Sequence, residues 1–118
     1  MHELSLAAAV MEELERLVQR EGARRVARVV LRAGALSGVE PEALRFAFPA
    51  AAEGTCAEGA ELVIETEPVQ VRCRACGAQT AADPLRLVCG ACGGDDVAIA
   101  AGADLTLRSA ELIVEDNA

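Results

Sequence analysis

The chain has no lysine, tryptophan or tyrosine and only two phenylalanines, so all 11 of its basic residues are arginine. Against 19 acidic residues they leave a net charge of −8 over 118 residues. Binding to nucleic acid needs a basic patch for the phosphates or aromatic platforms for the bases. We therefore expect no nucleic-acid partner, and a surface that attracts cations and basic proteins.

Long apolar runs and a recognisable targeting segment are also missing. No stretch approaches the roughly 20 apolar residues that span a bilayer, and Glu12, Glu13 and Glu15 interrupt the early apolar segment. We expect no membrane association and a cytoplasmic location. In that reducing compartment the five cysteines favour metal ligation or free thiols over disulfides.

The N-terminal half alternates between helical and extended patterns. Apolar residues at three-and-four spacing over residues 4–20 predict an amphipathic helix that starts close to His2. Period-two alternation over residues 25–33 predicts a strand. Pro41 suits the first turn of a second helix, which we expect to end or kink near residue 48 because Pro49 removes a hydrogen bond from a helix interior.

The C-terminal half predicts a strand over residues 62–71, with Pro68 at an edge or bulge. Strands over 97–101 and 105–114 follow, joined by a tight turn, and the last returns to the first sheet. We predict an α+β fold: a small mixed three-stranded sheet packed with two helices, and a zinc-ribbon-like domain with four cysteine ligands inserted before the last strand. The predicted helix-and-sheet domain covers 1–71 and 104–118, and the zinc domain covers 72–103.

Two Cys-x2-Cys pairs, Cys73 with Cys76 and Cys89 with Cys92, are twelve residues apart. Each pair can grip one ion from a tight turn, and two such turns complete a tetrahedral shell. The pattern predicts structural Zn(II), with an iron site and a redox dithiol as alternatives. A closed four-sulfur shell leaves no open position for catalysis. Cys56 lies apart in a predicted loop and is interpreted as a free thiol.

The only histidine is residue 2. The terminal amine, the backbone amide nitrogen and the imidazole of His2 can close adjacent chelate rings around one ion. Nitrogen-rich square-planar sites suit nickel(II) and copper(II), whereas magnesium and calcium prefer oxygen. The alternative interpretation is a solvated residue on a loose terminus.

In combination these features resemble the hydrogenase nickel-incorporation (HypA/HybF) family from end to end. The resemblance rests on the opening sequence Met-His-Glu-Leu-Ser, a Val29-Val30 strand leading to Gly34 and Ser37, the two cysteine pairs, and a final strand containing Ser109-Ala110-Glu111-Leu112.

The resemblance implies a metallochaperone with Ni(II) as its transferred cargo. Its partners would be a HypB-type GTPase and the large subunit of NiFe-hydrogenase. His2 and Glu3 match the nickel site of the family, and the four paired cysteines match its zinc ligands. The fourth nickel donor stays open between the Met1 amine and a carboxylate of Glu3 or Glu40, a loop acid at the matching family position.

Two other functions compete with nickel delivery. One is a zinc-ribbon protein-interaction module without a nickel role. The other is an enzyme, which the sequence disfavours because it offers no second histidine as a base, no nucleophile pair and no open zinc position. A phosphate-cradling glycine-rich loop ending in Gly-Lys-Ser/Thr is also missing, so nucleotide hydrolysis would reside in the partner. We expect a monomer or weak dimer.

Overall fold

The computed structural model describes residues 2–114, which form two helices and six strands. The helices are α1 (His2–Glu21) and α2 (Pro41–Ala52). The strands are β1 (Arg25–Gly34), β2 (Glu61–Glu67), β3 (Val69–Cys73), β4 (Gln79–Ala82), β5 (Val97–Ala101) and β6 (Leu105–Ile113). Neither helix is long and apolar enough to cross a membrane.

Helix α1 begins at His2, as the apolar spacing predicts, and continues to Glu21. Its buried face consists of Ala7, Val10, Met11, Leu14 and Val18. Val10 is three residues after Ala7 and four before Leu14, so it lies on the same face, whereas Ala8 lies outside that face and is exposed.

Helix α2 passes through Pro49 and ends at Ala52, so the helix does not end near residue 48. Proline removes one hydrogen bond to the preceding turn, but here it lies in the last turn of the helix. The ladder resumes after it, because the backbone N–H of Glu53 donates to the Pro49 carbonyl at 3.1 Å. Burial of Phe48 and Ala52 on either side favours the helical path.

The predicted strand over residues 62–71 is divided at Pro68 between two sheets. Strand β2 joins a sheet of order β2-β1-β6, and β3 is the central strand of a sheet of order β4-β3-β5. Proline cannot donate to a ladder, so pairing stops there and resumes in the second sheet. Strands β5 and β6 also belong to different sheets. The α+β class, the two helices and the return of the last strand to the first sheet are confirmed.

The chain forms two compact units. One contains residues 2–31, 40–64 and 107–114, and α1 and α2 pack together in it with Leu14 and Leu44 fully buried. The other contains residues 32–39 and 65–106. In that second unit β3 pairs antiparallel with both β4 and β5.

Close backbone packing in the second unit depends on Gly34 and Gly102. The backbone N–H of Leu36 donates to the Gly102 carbonyl at 2.8 Å. A Cβ atom added at Gly34 would overlap the backbone of Gly102. A Cβ atom at Gly102 would in turn lie 2.7 Å from the Pro68 carbonyl oxygen.

Candidate metal centres

The four paired cysteines meet in the second unit. Cys73 ends β3, Cys76 lies in the turn that follows, and the other pair lies in a second turn before β5. All four Sγ atoms are within 4.8 Å of one another, and the Cys73–Cys92 and Cys76–Cys89 Sγ distances are both 3.6 Å. In a tetrahedral site with Zn–S bonds of about 2.3 Å, neighbouring sulfurs are about 3.8 Å apart. The arrangement therefore fits a zinc ion.

The two cysteine turns have the same backbone construction. The N–H of Gly77 donates to the Cys73 carbonyl at 2.9 Å, and the N–H of Gly93 donates to the Cys89 carbonyl at 2.9 Å. Both glycines have left-handed backbone angles, with φ of 78° and 76°. Only glycine adopts this conformation without a steric penalty. The repeated Cys-x2-Cys-Gly sequence thus encodes two equivalent turns that face each other.

Backbone N–H groups in these turns point at the first sulfur of each pair. The Cys73 Sγ accepts from the N–H of Cys76 at 3.4 Å. The Cys89 Sγ accepts from Ala91 at 3.3 Å and from Cys92 at 3.4 Å. The Cys76 N–H lowers the pKa of Cys73, and the N–H groups of Cys92 and Ala91 lower the pKa of Cys89 to about 6. Hydrogen bonds to the thiolate cause both shifts.

The second cysteine of each pair behaves differently. The N–H of Ala78 lowers the pKa of Cys76, but the neighbouring thiols outweigh it and raise that pKa to about 11. The pKa of Cys92 is also raised, because the sulfurs of Cys73 and Cys89 outweigh the N–H of Gly94. Four thiolates this close together would repel one another, so a divalent cation is needed to keep all four cysteines deprotonated. Its uptake would release protons.

The segment around the cysteines has almost no core of its own. Between residues 72 and 96 the only buried side chains are those of Cys73 and Cys89, each 2% exposed. A segment of this kind needs another source of stability, and a structural metal is the usual one. With four sulfurs around the ion, no open position would remain for substrate or water.

His2 and Glu3 lie at the start of α1 in the first unit. The His2 side chain is 59% exposed, and its Nδ1 lies 3.6 Å from Oε2 of Glu3. Glu3 is 26% exposed. The structure therefore brings this predicted pair together at an accessible helix end. Met1, the candidate amine donor, lies outside the described residues.

Glu40 also belongs to the first unit, at the start of α2. Its carboxylate Oε1 accepts from the backbone N–H of Glu42 at 3.3 Å, so it caps the helix. The pKa of Glu3 is below its usual value. Its own backbone N–H lowers it most, against the opposing effect of partial burial, and the His2 side chain and the backbone N–H of Glu40 lower it further.

An apolar groove borders Glu3, and nothing in the sequence pattern led us to expect it. Its volume is about 410 Å³, and its lining residues are Glu3, Leu4, Ala43, Phe46, Ala47 and Ala50. Phe46 is 88% exposed. The sequence does contain a signal for it, because Phe46 and Phe48 lie only two positions apart in the same helix. Residues two positions apart lie on different faces of a helix, so these two cannot both pack into the protein core.

The fold and the cysteine cluster define a small α+β protein with a four-sulfur metal-binding unit. The family profile described as "Hydrogenase/urease nickel incorporation, metallochaperone, hypA" matches residues 1–112. The chain therefore belongs to the HypA family of nickel metallochaperones for hydrogenase maturation.

Individual relatives agree with this family. The hydrogenase maturation factor HypA of Aquifex aeolicus is 38% identical over 115 residues, which is 98% of this chain and 100% of that protein. HypA of Synechococcus elongatus is 46% identical over 114 residues, or 96% and 100% of the two chains. The solution structure of the nickel metallochaperone HypA from Helicobacter pylori is similar with a TM-score of 0.76, at 26% identity and over 96% of this chain and 98% of that one.

Proposed function

We propose that this chain binds Ni(II) at its N-terminus through His2 and Glu3 and delivers it during maturation of NiFe-hydrogenase. The observation that carries the proposal is the family match over residues 1–112, in a chain whose only histidine is accessible at the start of α1 beside Glu3. Zn(II) would be held by Cys73, Cys76, Cys89 and Cys92 and have a structural role.

The position of His2 and Glu3 in α1 favours nickel binding by backbone amides. The first four N–H groups of an α-helix have no acceptor within the helix, and His2 and Glu3 are its first two residues. Their amides can therefore lose a proton and bind a metal without breaking the helical ladder. With the His2 imidazole they offer three of the four in-plane donors that square-planar nickel(II) takes. The Met1 amine and a carboxylate of Glu3 or Glu40 are the candidates for the fourth.

An exposed site at a chain terminus also suits a protein that must release its cargo. Copper(II) binds more tightly than nickel(II) to such donors, so correct delivery depends on metal supply and on the partner proteins. We propose a HypB-type GTPase and the NiFe-hydrogenase large subunit as partners, in the cytoplasm, with this chain as a non-enzymatic monomer or weak dimer. We also propose residues 72–103 as the zinc-binding domain.

The test is a nickel titration of the untagged, zinc-loaded protein and of two variants. His2→Ala removes the imidazole, whereas Gln19→Ala changes an exposed position at the other end of the same helix and serves as the control. We expect Gln19→Ala to bind nickel like the parent and His2→Ala to lose at least about tenfold in affinity, since one strong donor is worth more than about 1.4 kcal/mol. Equal affinity of all three proteins would refute the His2 site.

The second candidate function is a zinc-ribbon interaction module without a nickel role. The exposed Phe46 beside the apolar groove of α1 and α2 favours a protein-interaction surface. This alternative predicts that neither the zinc-loaded parent nor any of these variants binds nickel(II). The same titration therefore separates the two functions.

A further inference from the structure

The two cysteine turns differ in how they are attached to the sheet. The first turn continues directly from β3, and the N–H of Cys73 donates to the Ala78 carbonyl at 2.9 Å as the chain returns to β4. The second turn closes on itself, because the N–H of Cys89 donates to the Gly94 carbonyl at 2.8 Å. Residues 83–88 separate this second turn from β4. Its position opposite the first turn therefore depends on the metal and on side chains outside the turn.

Thr80 of β4 contacts the second turn. The backbone N–H of Gly90 donates to Oγ1 of Thr80 at 2.8 Å. Thr80 lies opposite Val71 of β3, and opposed residues of antiparallel strands direct their side chains to the same face. Cys73 is two positions after Val71, so its side chain lies on that face as well, and both are buried. The Thr80 hydroxyl thus joins the second turn to the face of the sheet that carries the first cysteine of the cluster.

Gly90 leaves room for this contact. A Cβ atom added at Gly90 would lie 3.2 Å from Cβ and 3.3 Å from Oγ1 of Thr80, which is closer than the optimal separation of non-bonded atoms. Gly77 and Gly93 have left-handed backbone angles, whereas Gly90 does not. The close approach of Thr80, rather than a backbone conformation, therefore explains a glycine at residue 90.

We propose that Thr80 is a positioning residue for the zinc site: its hydroxyl holds the second cysteine turn, with Cys89 and Cys92, against β4 and opposite the first cysteine pair. This inference rests on the proposed zinc site of the four cysteines. Thr80 acts through the Gly90 amide, which directly follows Cys89 in the chain. A turn that is already held in place loses less conformational freedom when it binds the ion. The contact therefore slows the release of zinc.

Substitutions at residue 80 separate the hydroxyl from the shape of the side chain. Thr80→Val keeps the β-branched shape and removes the hydroxyl, whereas Thr80→Ser keeps the hydroxyl. Thr66→Val is the matched control, because Thr66 is an exposed threonine of β2. The rate of zinc transfer to a chromophoric chelator is measured for each zinc-loaded protein. We expect Thr80→Val to lose zinc about three- to tenfold faster than the parent, the order of one hydrogen bond, and the other two variants to stay within about twofold.

Two further measurements test whether the effect passes through Gly90. The first is hydrogen exchange of the Gly90 amide, which should be faster in Thr80→Val than in the parent and slow again in Thr80→Ser. The second is a double-mutant cycle in which Gly90→Ala is made in the parent and in Thr80→Ala. We expect Gly90→Ala to speed zinc loss from the parent and to add less in the Thr80→Ala background, because both changes remove the same contact.

Three results would overturn the inference while leaving the zinc site intact. They are parent-like zinc loss from Thr80→Val, equally fast loss from Thr80→Val and Thr80→Ser, and additive behaviour of Gly90→Ala and Thr80→Ala. A parent protein that holds no zinc would refute the zinc site itself, and this inference with it. Nickel titration of the same variants keeps the two proposals apart, because Thr80→Val should bind nickel like the parent whether or not the N-terminal site exists.

Discussion

Replacing Cys89 by serine should release the segment around the zinc site while leaving the helices folded. A structural zinc site in a small domain contributes roughly 10–16 kcal/mol. If that energy is divided evenly over four sulfurs, one ligand is worth roughly 2.5–4 kcal/mol, which corresponds to about 100- to 1,000-fold in zinc affinity. No apolar side chain other than the cysteines is buried between residues 72 and 96 to replace it.

Two assays measure this effect. A chromophoric chelator reports zinc affinity, and trypsin reports local unfolding because Arg74 lies inside the first cysteine turn. In the folded chain Arg74 donates to the Asp96 carboxylate at 2.8 Å. We expect cleavage after Arg74 to accelerate in Cys89→Ser, while cleavage after Arg28 in β1 stays slow.

Cys56→Ser is the matched control, because Cys56 is not part of the cysteine cluster. It should keep the zinc affinity and the tryptic pattern of the parent. A zinc affinity of Cys89→Ser within about threefold of that of the parent would refute the structural role, because the expected loss is about 100- to 1,000-fold. Equal cleavage of the two variants after Arg74 would refute it as well.

Three smaller predictions follow from single contacts. Gly102→Ala should lower the free energy of unfolding by about 2 kcal/mol or more, because its Cβ would collide with backbone; Gly38→Ala, with similar φ but open space around it, should lose less in chemical denaturation. Arg74→Ala should speed zinc loss to a chelator severalfold by removing the Asp96 contact; an unchanged rate would contradict this. Burial, with Glu15 beside it, raises the pKa of Cys56 to about 11, so alkylation at about pH 8 should be slow and become fast only above about pH 10. Because the Cys56 thiol ionises at lower pH in the unfolded chain than in the folded chain, its neutral form contributes to stability below about pH 9. This contribution is lost as pH rises through about 11.

The cysteine cluster could be predicted from the sequence because the turns that form it are local. The spacing within each cysteine pair and the glycine after it specify a turn, and two such turns bring the four sulfurs together. The helix that begins at His2 follows from apolar spacing alone. In both cases the determining residues are neighbours in the chain.

The features that were missed depend on contacts between distant residues. The helix continues past Pro49 because burial of Phe48 and Ala52 compensates for one lost hydrogen bond. The division of the extended segment at Pro68 depends on strand pairing, because β2 pairs with β1 whereas β3 pairs with β4 and β5.

The most direct test of the proposed nickel binding by this chain is a calorimetric titration of the untagged, zinc-loaded protein with nickel(II), with both metals quantified afterwards. We predict one nickel ion bound per chain, with the zinc retained. No nickel uptake, or nickel that enters only as zinc leaves the cysteines, would contradict the proposed function.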